Sequence, residues 1–348
     1  MKNTFYLILF LCIYKLNAQN IITTVAGNGT QGFSGDGGQA INASLYFPMG
    51  VAVDKSGNLY IGEQQNNRIR KVTPAGIIST FAGNGSTVIS GDGGPAINAG
   101  LSNVGDIAID DTGNIYIAGK YTIRKIDTNG IINSIVGTGV AGFSGDGGPA
   151  NLAQLGGEYG VSFDILGNMY ITDAGNNRVR KVDTAGVITT VAGNGVAVDG
   201  GDGGLAVNAG IKSPTSIAFD SKGNMYIADL GHRVRKVDTL GIITTFAGDS
   251  LFGFSGDGIP AANSSLYFPY CIRFDAAGNL LIADEGDQRV RIVDNAGSFI
   301  QLREMEFRVI VEMGDRQRAL HSISRFLLLL IKQDLFTLLI TGTIEFEK

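Results

Sequence analysis

The sequence has few of the residues that cross-link small secreted proteins or build metal centres. It contains two cysteines, Cys12 and Cys271, and two histidines in 348 residues. Because Cys12 lies in a predicted leader, the mature chain can form no internal disulfide, and its stability must come from packing. His232 is the single histidine before the C-terminal tail, which argues against a zinc site built from several histidines.

Long hydrophobic runs are also scarce. An apolar stretch from Phe5 to Tyr14 follows Lys2 and precedes Ala18, which is typical of a secretory signal peptide over residues 1–18. The stretch is too short for a membrane span, so we expect a secreted or periplasmic protein without one. The net charge of −5 argues against a nucleic-acid partner.

Glycine, by contrast, is abundant and recurs in a fixed phrase. The chain has 51 glycines, about twice the usual share. "SGDGG" or a close variant occurs five times, and its aspartates are Asp36, Asp92, Asp146, Asp202 and Asp257. A longer phrase begins at Gly50 and returns four times, at intervals of 54 to 56 residues. A period of this size indicates a solenoid, a propeller or an array.

Each repeat contains four short runs of β-branched and aromatic residues separated by turn residues. In the first repeat these runs are 51–54, 58–61, 68–72 and 77–81, and they predict strands. No run has helical periodicity long enough to compete. Four short strands form a sheet that cannot bury both faces alone, whereas stacking such sheets around an axis covers them. The sequence therefore predicts an all-β fold, a β-propeller.

The repeated phrase P-x-G-V-A-V-D-x-x-G-N-L-Y-I-x-E/D-x-x-N-N-R-I-R-K-V resembles the NHL repeat, from Ile21 to about Gly297. The resemblance implies a propeller of four-stranded blades, of the secreted bacterial type, over residues 19–297. NHL propellers usually have six blades, so we expect a six-bladed design whose degenerate last blade comes from the divergent tail, 298–348. The alternative is a five-bladed ring closed by the N-terminal strand at 21–27.

The glycine-rich phrase admits a structural and a functional interpretation. We expect each aspartate to cap its own turn beside a glycine of positive φ. In the up-down strand order all five crossings between blades emerge on one face, where their aspartates form a hypothetical binding surface. One carboxylate per loop, without D-x-D-x-D-G spacing, argues against calcium, and the missing helix argues against a phosphate cradle. We predict no metal and no cofactor, with calcium as the alternative.

A second set of residues couples an acid to an arginine across the turn between the second and third strands. In the second repeat both are replaced, by Gly119 and Thr122, and this joint loss suggests that the partners contact each other. A charge-assisted bond of this kind is structural. The predicted structural ion pairs are Glu63 with Arg68, Asp173 with Arg178, Asp229 with Arg233, and Asp284 with Arg289.

A catalytic site needs residues that are not repeated in every blade, so the candidate channel residues are those that differ from their equivalents in the other repeats. They are Asp106, Glu158 and Arg273, at or near innermost-strand positions. The favoured function is an exported, non-enzymatic platform that binds a protein, a peptide or a glycan on its loop face. The alternative is a hydrolase or lyase that resembles calcium-dependent propeller lactonases and uses the central channel.

Overall fold

The computed structural model describes residues 24–300 and two short strands, 327–331 and 335–339. The predicted β-propeller is confirmed: five blades follow one another, each an antiparallel sheet whose four main strands are joined in sequence order. The blade strands are β1 (Pro48–Val53), β2 (Leu59–Glu63), β3 (Arg68–Val72) and β4 (Ile78–Ala82); β6 (Ile107–Ile109), β7 (Ile115–Gly119), β8 (Thr122–Ile126) and β9 (Ile131–Val136); β10 (Glu158–Phe163), β11 (Met169–Asp173), β12 (Arg178–Val182) and β13 (Ile188–Ala192); β14 (Pro214–Phe219), β15 (Met225–Asp229), β16 (Arg233–Val237) and β17 (Ile243–Ala247); β18 (Pro269–Phe274), β19 (Leu280–Asp284), β20 (Arg289–Val293) and β21 (Phe299–Ile300). A two-residue edge strand, β5 (Gly94–Pro95), joins the second blade, and β22 (Leu327–Ile331) pairs with β23 (Leu335–Leu339).

The helical segments of the described chain are single 3-10 turns. They are Ala40–Asn42, Ala96–Asn98, Ala150–Leu152, Ala174–Asn176, Ala206–Asn208 and Ala261–Asn263. Nowhere in the described ranges does a helix have the length and apolarity needed to cross a membrane.

The D-x-x-G-N-x-Y phrase forms the turn between the first and second strands. In the first blade the Asp54 carboxylate accepts hydrogen bonds from the backbone N–H groups of Ser56 and Asn58, from the Asn58 side chain, and from the Tyr60 hydroxyl. Gly57 takes the required positive φ of 80°. Burial and the charge of Asp54 raise the pKa of Tyr60 to about 12. One carboxylate thus organises the turn and locks the tyrosine that packs between blades.

The blades are held together by side chains from facing sheets. On the face of the first blade towards the second, Tyr60 and Ile69 belong to one buried cluster with Leu101 and Ile117 of the second blade. Between the second and third blades the Tyr116 ring meets the Phe163 ring edge-on, with centroids 4.8 Å apart, a favourable aromatic geometry. Because both faces of a sheet are covered in this way, the strands are apolar without strict alternation.

The glycine-rich segments cover the outer edge of the blades. Gly37 N–H donates to the Ile78 carbonyl, Ile78 N–H donates to Gly38, and Ala40 N–H donates to Gly76. Equivalent bridges occur in all five blades, including β5 against β9. An open edge strand invites pairing with other chains, and here each crossing satisfies that edge before it turns back to the channel.

The fifth and first blades meet through buried residues and through the tail. Cys271 and Ala283 of the fifth blade share a core cluster with Val51 and Ile61 of the first. The described part of the fourth strand of the fifth blade is β21, which follows β20 in sequence. The N-terminal segment therefore does not supply this part of the strand. Strand β22 lies against β1 and β18, the innermost strands of the first and fifth blades. Of the expected N-terminal closing strand, residues 21–23 lie outside the described residues and 24–27 form no strand. A complete sixth blade stays a prediction.

Candidate binding surface

The five aspartates of the glycine-rich phrase all bind an arginine in the third strand of the blade whose edge they cover. Each arginine is at most 3% exposed. The ion pairs are Asp36–Arg70 at 2.7 Å, Asp92–Arg124 at 2.5 Å, Asp146–Arg180 at 2.8 Å, Asp257–Arg291 at 2.9 Å, and Asp202–Arg235. The expectation that each aspartate caps its own turn was therefore wrong. The carboxylate reaches back to the sheet because the buried guanidinium needs a charged acceptor there.

In four blades the fourth strand also bonds the aspartate through a hydroxyl side chain, a threonine in three of them and Ser134 against Asp92 in the second. Thr80 Oγ1 donates to Asp36 at 2.7 Å, and Thr190 and Thr245 make the same bond to Asp146 and Asp202. Burial alone would raise the pKa of Asp36, but the bond from Thr80 and the charge of Arg70 outweigh it, so the pKa is lowered. Asp36 is therefore a charged anchor, and the other four aspartates make the same contact with a buried arginine.

In four of the five repeats the glycine before the aspartate permits close packing of the crossing on itself. Gly35 has φ of 91°, and a Cβ there would lie 2.7 Å from the Ala43 Cβ. Gly91, Gly145 and Gly201 show the same conformation and the same alanine contact. Any side chain would clash in a conformation that L-residues already disfavour, so the phrase is fixed by packing.

The sequence predicted that all five crossings and their aspartates lie on one face of the propeller, and this prediction is wrong for the aspartates. Each crossing begins beside the turn between the second and third strands, where Asn66 Nδ2 donates to the Gly32 carbonyl at 2.8 Å and Asn176 repeats this bond to Gly142. The SGDGG part then runs along the outer edge of the blade. The loop face therefore carries the first half of each crossing, whereas the aspartates lie at its perimeter.

The predicted structural ion pairs of the first and third blades are wrong, because each acid contacts the second arginine of R-x-R and not the first. Glu63 contacts Arg70 at 3.4 Å, and Asp173 contacts Arg180 at 3.3 Å; all four side chains are buried. Arg68 instead donates to the carbonyls of Asn66 and Asn84. Its guanidinium also lies 4.1 Å from the centroid of the Phe33 ring, and Arg178 repeats this arrangement.

The two remaining acids have no ion pair within 4 Å among the described residues. Asp229 accepts a bond from Gly231 N–H, and Asp284 from Tyr267 N–H, but one oxygen of each lacks a partner. Arg233 donates to Ser250 Oγ, and Arg289 lies over the Phe254 ring. The predicted pairs Asp229–Arg233 and Asp284–Arg289 are therefore not formed, although their backbones are cross-strand neighbours.

The charged residues of the channel bind each other and bridge blades. Arg273 of the fifth blade contacts Asp106 of the second at 3.4 Å and donates to Ser216 Oγ of the fourth at 3.2 Å. Asp106 also accepts a bond from Val161 N–H of the third blade. Burial raises the pKa of Asp106, against the opposing charge of Arg273. One network thus ties four blades together across the channel.

Two other candidates are less informative. Glu158 opens β10 opposite Asp173, and its side chain lies outside the described residues. His232 accepts a bond from Phe268 N–H and packs beside Tyr267 and Phe252. Within the described ranges, no three His, Cys, Asp or Glu side chains converge on a point that could hold a metal ion.

The arginine that anchors each crossing was not identified from the sequence. The second repeat contained the signal: Gly119 and Thr122 replace the supposed partners, yet Arg124 is retained together with Asp92. The retained pair identifies the contact that every blade needs. The second arginine of R-x-R is thus the structural residue.

The repeat and the fold define an NHL-repeat β-propeller. The Teneurin NHL domain family model matches residues 16–90, 85–142 and 197–255. The chain belongs to the Teneurin NHL domain family.

Individual relatives are similar at moderate identity. Teneurin-4 of Homo sapiens is 28% identical over 290 residues, covering 72% of this chain and 10% of that protein. Teneurin-3 of Mus musculus is 32% identical over 255 residues, covering 61% and 9%. The chain therefore spans about a tenth of the length of these curated relatives. A gluconolactonase structure from Xanthomonas campestris is 13% identical, with a TM-score of 0.49 over 74% of this chain and 75% of that one.

Proposed function

We propose that the protein is an exported, non-enzymatic binding platform whose crossings between blades contact a protein, peptide or glycan partner. The crossings are residues 27–47, 83–106, 137–157, 193–213 and 248–268. The observation that carries the proposal is the position of exposed apolar side chains. Of eighteen large hydrophobic side chains exposed in the described part, fourteen lie in the crossings.

Such a concentration is characteristic of interaction surfaces. Val88, Leu152 and Phe252 are 68%, 66% and 73% exposed, each in a different crossing. Ion pairs between a buried arginine and Asp92, Asp146 or Asp257 hold the same segments against the blades. A rigid loop loses little conformational entropy on binding, so anchored loops with exposed apolar side chains suit a platform.

The lactonase-like alternative requires carboxylates in the channel that are available to an ion and a substrate. Asp106 is instead occupied by Arg273 and by the backbone N–H groups of Ile107 and Val161. This arrangement favours a structural role for the channel residues, and we propose no cofactor and no calcium.

The test compares two triple variants of the mature chain on the same ligands. Ligands are first selected by the wild-type protein from a random-peptide display library and an oligosaccharide array. Val140→Ser, Leu152→Ser and Val198→Ser together remove apolar side chains from two crossings. We expect at least tenfold weaker binding of peptides that contact this surface, because about 1.4 kcal/mol of lost contact is tenfold in affinity.

The matched control changes apolar residues outside the crossings that are even more exposed than the test residues. Ile165→Ser, Leu166→Ser and Leu240→Ser alter side chains that are 85%, 77% and 80% exposed, and they should leave binding unchanged. Equal losses in both variants, or no selected ligand, would contradict the proposal. Lactone hydrolysis lost in Asp106→Asn would replace it with the enzymatic alternative.

A further inference from the structure

A groove opens on the loop face above the second blade, where the repeat is broken. The turn between β7 and β8 contains two residues, Lys120 and Tyr121, whereas the turns at 64–67 and 174–177 of the neighbouring blades contain four. The shorter turn lowers the surface between two higher walls. The resulting groove has a volume of about 580 Å³, within the range of ligand sites.

On the side of the third blade, the wall of the groove is formed by glycines. Gly156 and Gly157 precede the third blade, and Gly175 lies in its β11–β12 turn. A Cβ at Gly175 would lie 2.1 Å from the Gly156 carbonyl oxygen. The two segments therefore touch through their backbones, and no side chain from this wall fills the groove.

The other wall and the floor present polar side chains without protein partners. In the described structure the side-chain amides of Gln64, Gln65 and Asn103 make no hydrogen bond, and the Lys120 amine forms no ion pair. Asn103 is held in place by its own backbone N–H, which donates to Asn67 Oδ1 at 3.1 Å. The Lys120 amine lies 5.7 Å from the centroid of the Tyr121 ring. The groove thus offers donors and acceptors that no protein group uses in the described structure.

We propose that this groove binds an acidic oligosaccharide, such as a chain of uronic acids. Amide and hydroxyl side chains, including Thr87 and Ser102, both donate and accept, as vicinal sugar hydroxyls require. Lys120 is the single charged residue of the lining, and its amine complements a carboxylate group of the ligand. The inference rests on the proposed function, since it names a ligand class for the same face.

The lining argues against a peptide in this groove. An extended peptide would add to an unpaired strand edge, but β7 and β8 are interior strands of their sheet. Peptide side chains would also need apolar pockets, and Tyr121 is the one large ring in the lining. A hydroxyl-rich ligand uses the amides and the ring face together.

Calorimetry with defined oligosaccharides tests the proposal on the mature chain. The probes are tetramers of galacturonic acid and of glucuronic acid, with galactose and glucose tetramers as neutral counterparts. We expect the uronic acids to bind at least tenfold more tightly than their neutral counterparts. Lys120→Ala should remove this preference and its salt dependence, because the attraction is between charges.

A second variant blocks the groove without touching its charge. Thr87→Trp places a large ring at an exposed position of the lining and should abolish binding of all four tetramers. Lys222→Ala, in an exposed turn of the fourth blade, is the matched control and should bind as the wild type does. Retained far-ultraviolet circular dichroism and melting temperature confirm that each variant folds.

The outcomes separate this inference from the proposed function. Peptides selected on the crossings without uronic-acid binding would leave the platform intact and overturn the saccharide groove. Uronic-acid binding that survives both Lys120→Ala and Thr87→Trp would also overturn the groove. Peptides whose binding is lost in Thr87→Trp would show the wrong ligand class, and a protein that binds neither probe would refute both proposals.

Discussion

Arg180→Ala should lower the free energy of unfolding by about 3–5 kcal/mol. Arg180 is fully buried, and it neutralises the equally buried Asp173 as well as Asp146 of the crossing. Its removal leaves Asp173 without a cation in the core, and breaking a buried pair from one side is far more costly than losing a surface contact. Chemical denaturation followed by fluorescence or circular dichroism measures the loss.

The neighbouring arginine supplies the matched control. Arg178 donates to two carbonyl groups and lies over the Phe143 ring at the surface, so Arg178→Ala should cost less, about 1–2 kcal/mol. The two residues are two positions apart in one strand and share the R-x-R phrase. If Arg178→Ala proves the more damaging change, the assignment of the buried arginine as the anchor is wrong.

Stability should fall as the pH rises from about 5 to 8.5. Burial, reinforced by the charge of Asp199, raises the pKa of Asp229 to about 8. Burial also raises the pKa of Asp284 to about 7, with a further rise from Asp287. These carboxyls hold protons in the folded state that the unfolded chain has lost above about pH 4, so stability falls with rising pH until the folded carboxyls themselves ionise. We expect the melting temperature to drop by several degrees over this window.

Asp287→Asn isolates one of these carboxyls. In the first and third blades an asparagine, Asn66 or Asn176, occupies this position and donates to the buried acid. The substitution should stabilise the protein more at pH 8 than at pH 5, because it removes a like charge and restores the donor to Asp284. His232, whose pKa is lowered by burial, acts in the opposite sense below pH 6.5 and is unchanged in this comparison.

Asp111→Asn, a fully exposed acid, is the control for the charge change. It should shift stability little and equally at the two pH values. A flat profile of melting temperature for the wild type, or an equal gain from Asp287→Asn at both pH values, would contradict the raised pKa values.

The strands were predictable because their information is local. The runs expected at 68–72 and 77–81 in the first repeat correspond to Arg68–Val72 and Ile78–Ala82, since β-branched residues between glycine turns fix both type and position. The period then determined the propeller. Blade closure was harder, because it depends on contacts such as Cys271 with the first-blade core, more than two hundred residues apart in sequence.

The ion pairs of the crossings were less predictable, because residues that pair across the edge of a sheet have no characteristic separation in sequence. Asp36 and Arg70 are 34 residues apart, so neither proximity nor a local motif connects them. The cross-strand neighbours Glu63 and Arg68 are adjacent in register, yet the side chain of Arg68 reaches out to Asn84 instead. The groove above the second blade follows from a turn that is two residues shorter than its equivalents. A comparison of turn lengths between the repeats predicts this difference.

Hydrogen exchange in Asp146→Ala tests most directly whether the repeated aspartates anchor the crossings to the blade edges. Gly147 N–H donates to the Ile188 carbonyl and Ala150 N–H donates to Gly186 in the third blade, and Gly203 and Ala206 make the equivalent bonds in the fourth. We predict at least tenfold faster exchange at Gly147 and Ala150, with unchanged rates at Gly203 and Ala206. Equal protection in the wild type and the variant would contradict the anchoring role of the aspartates.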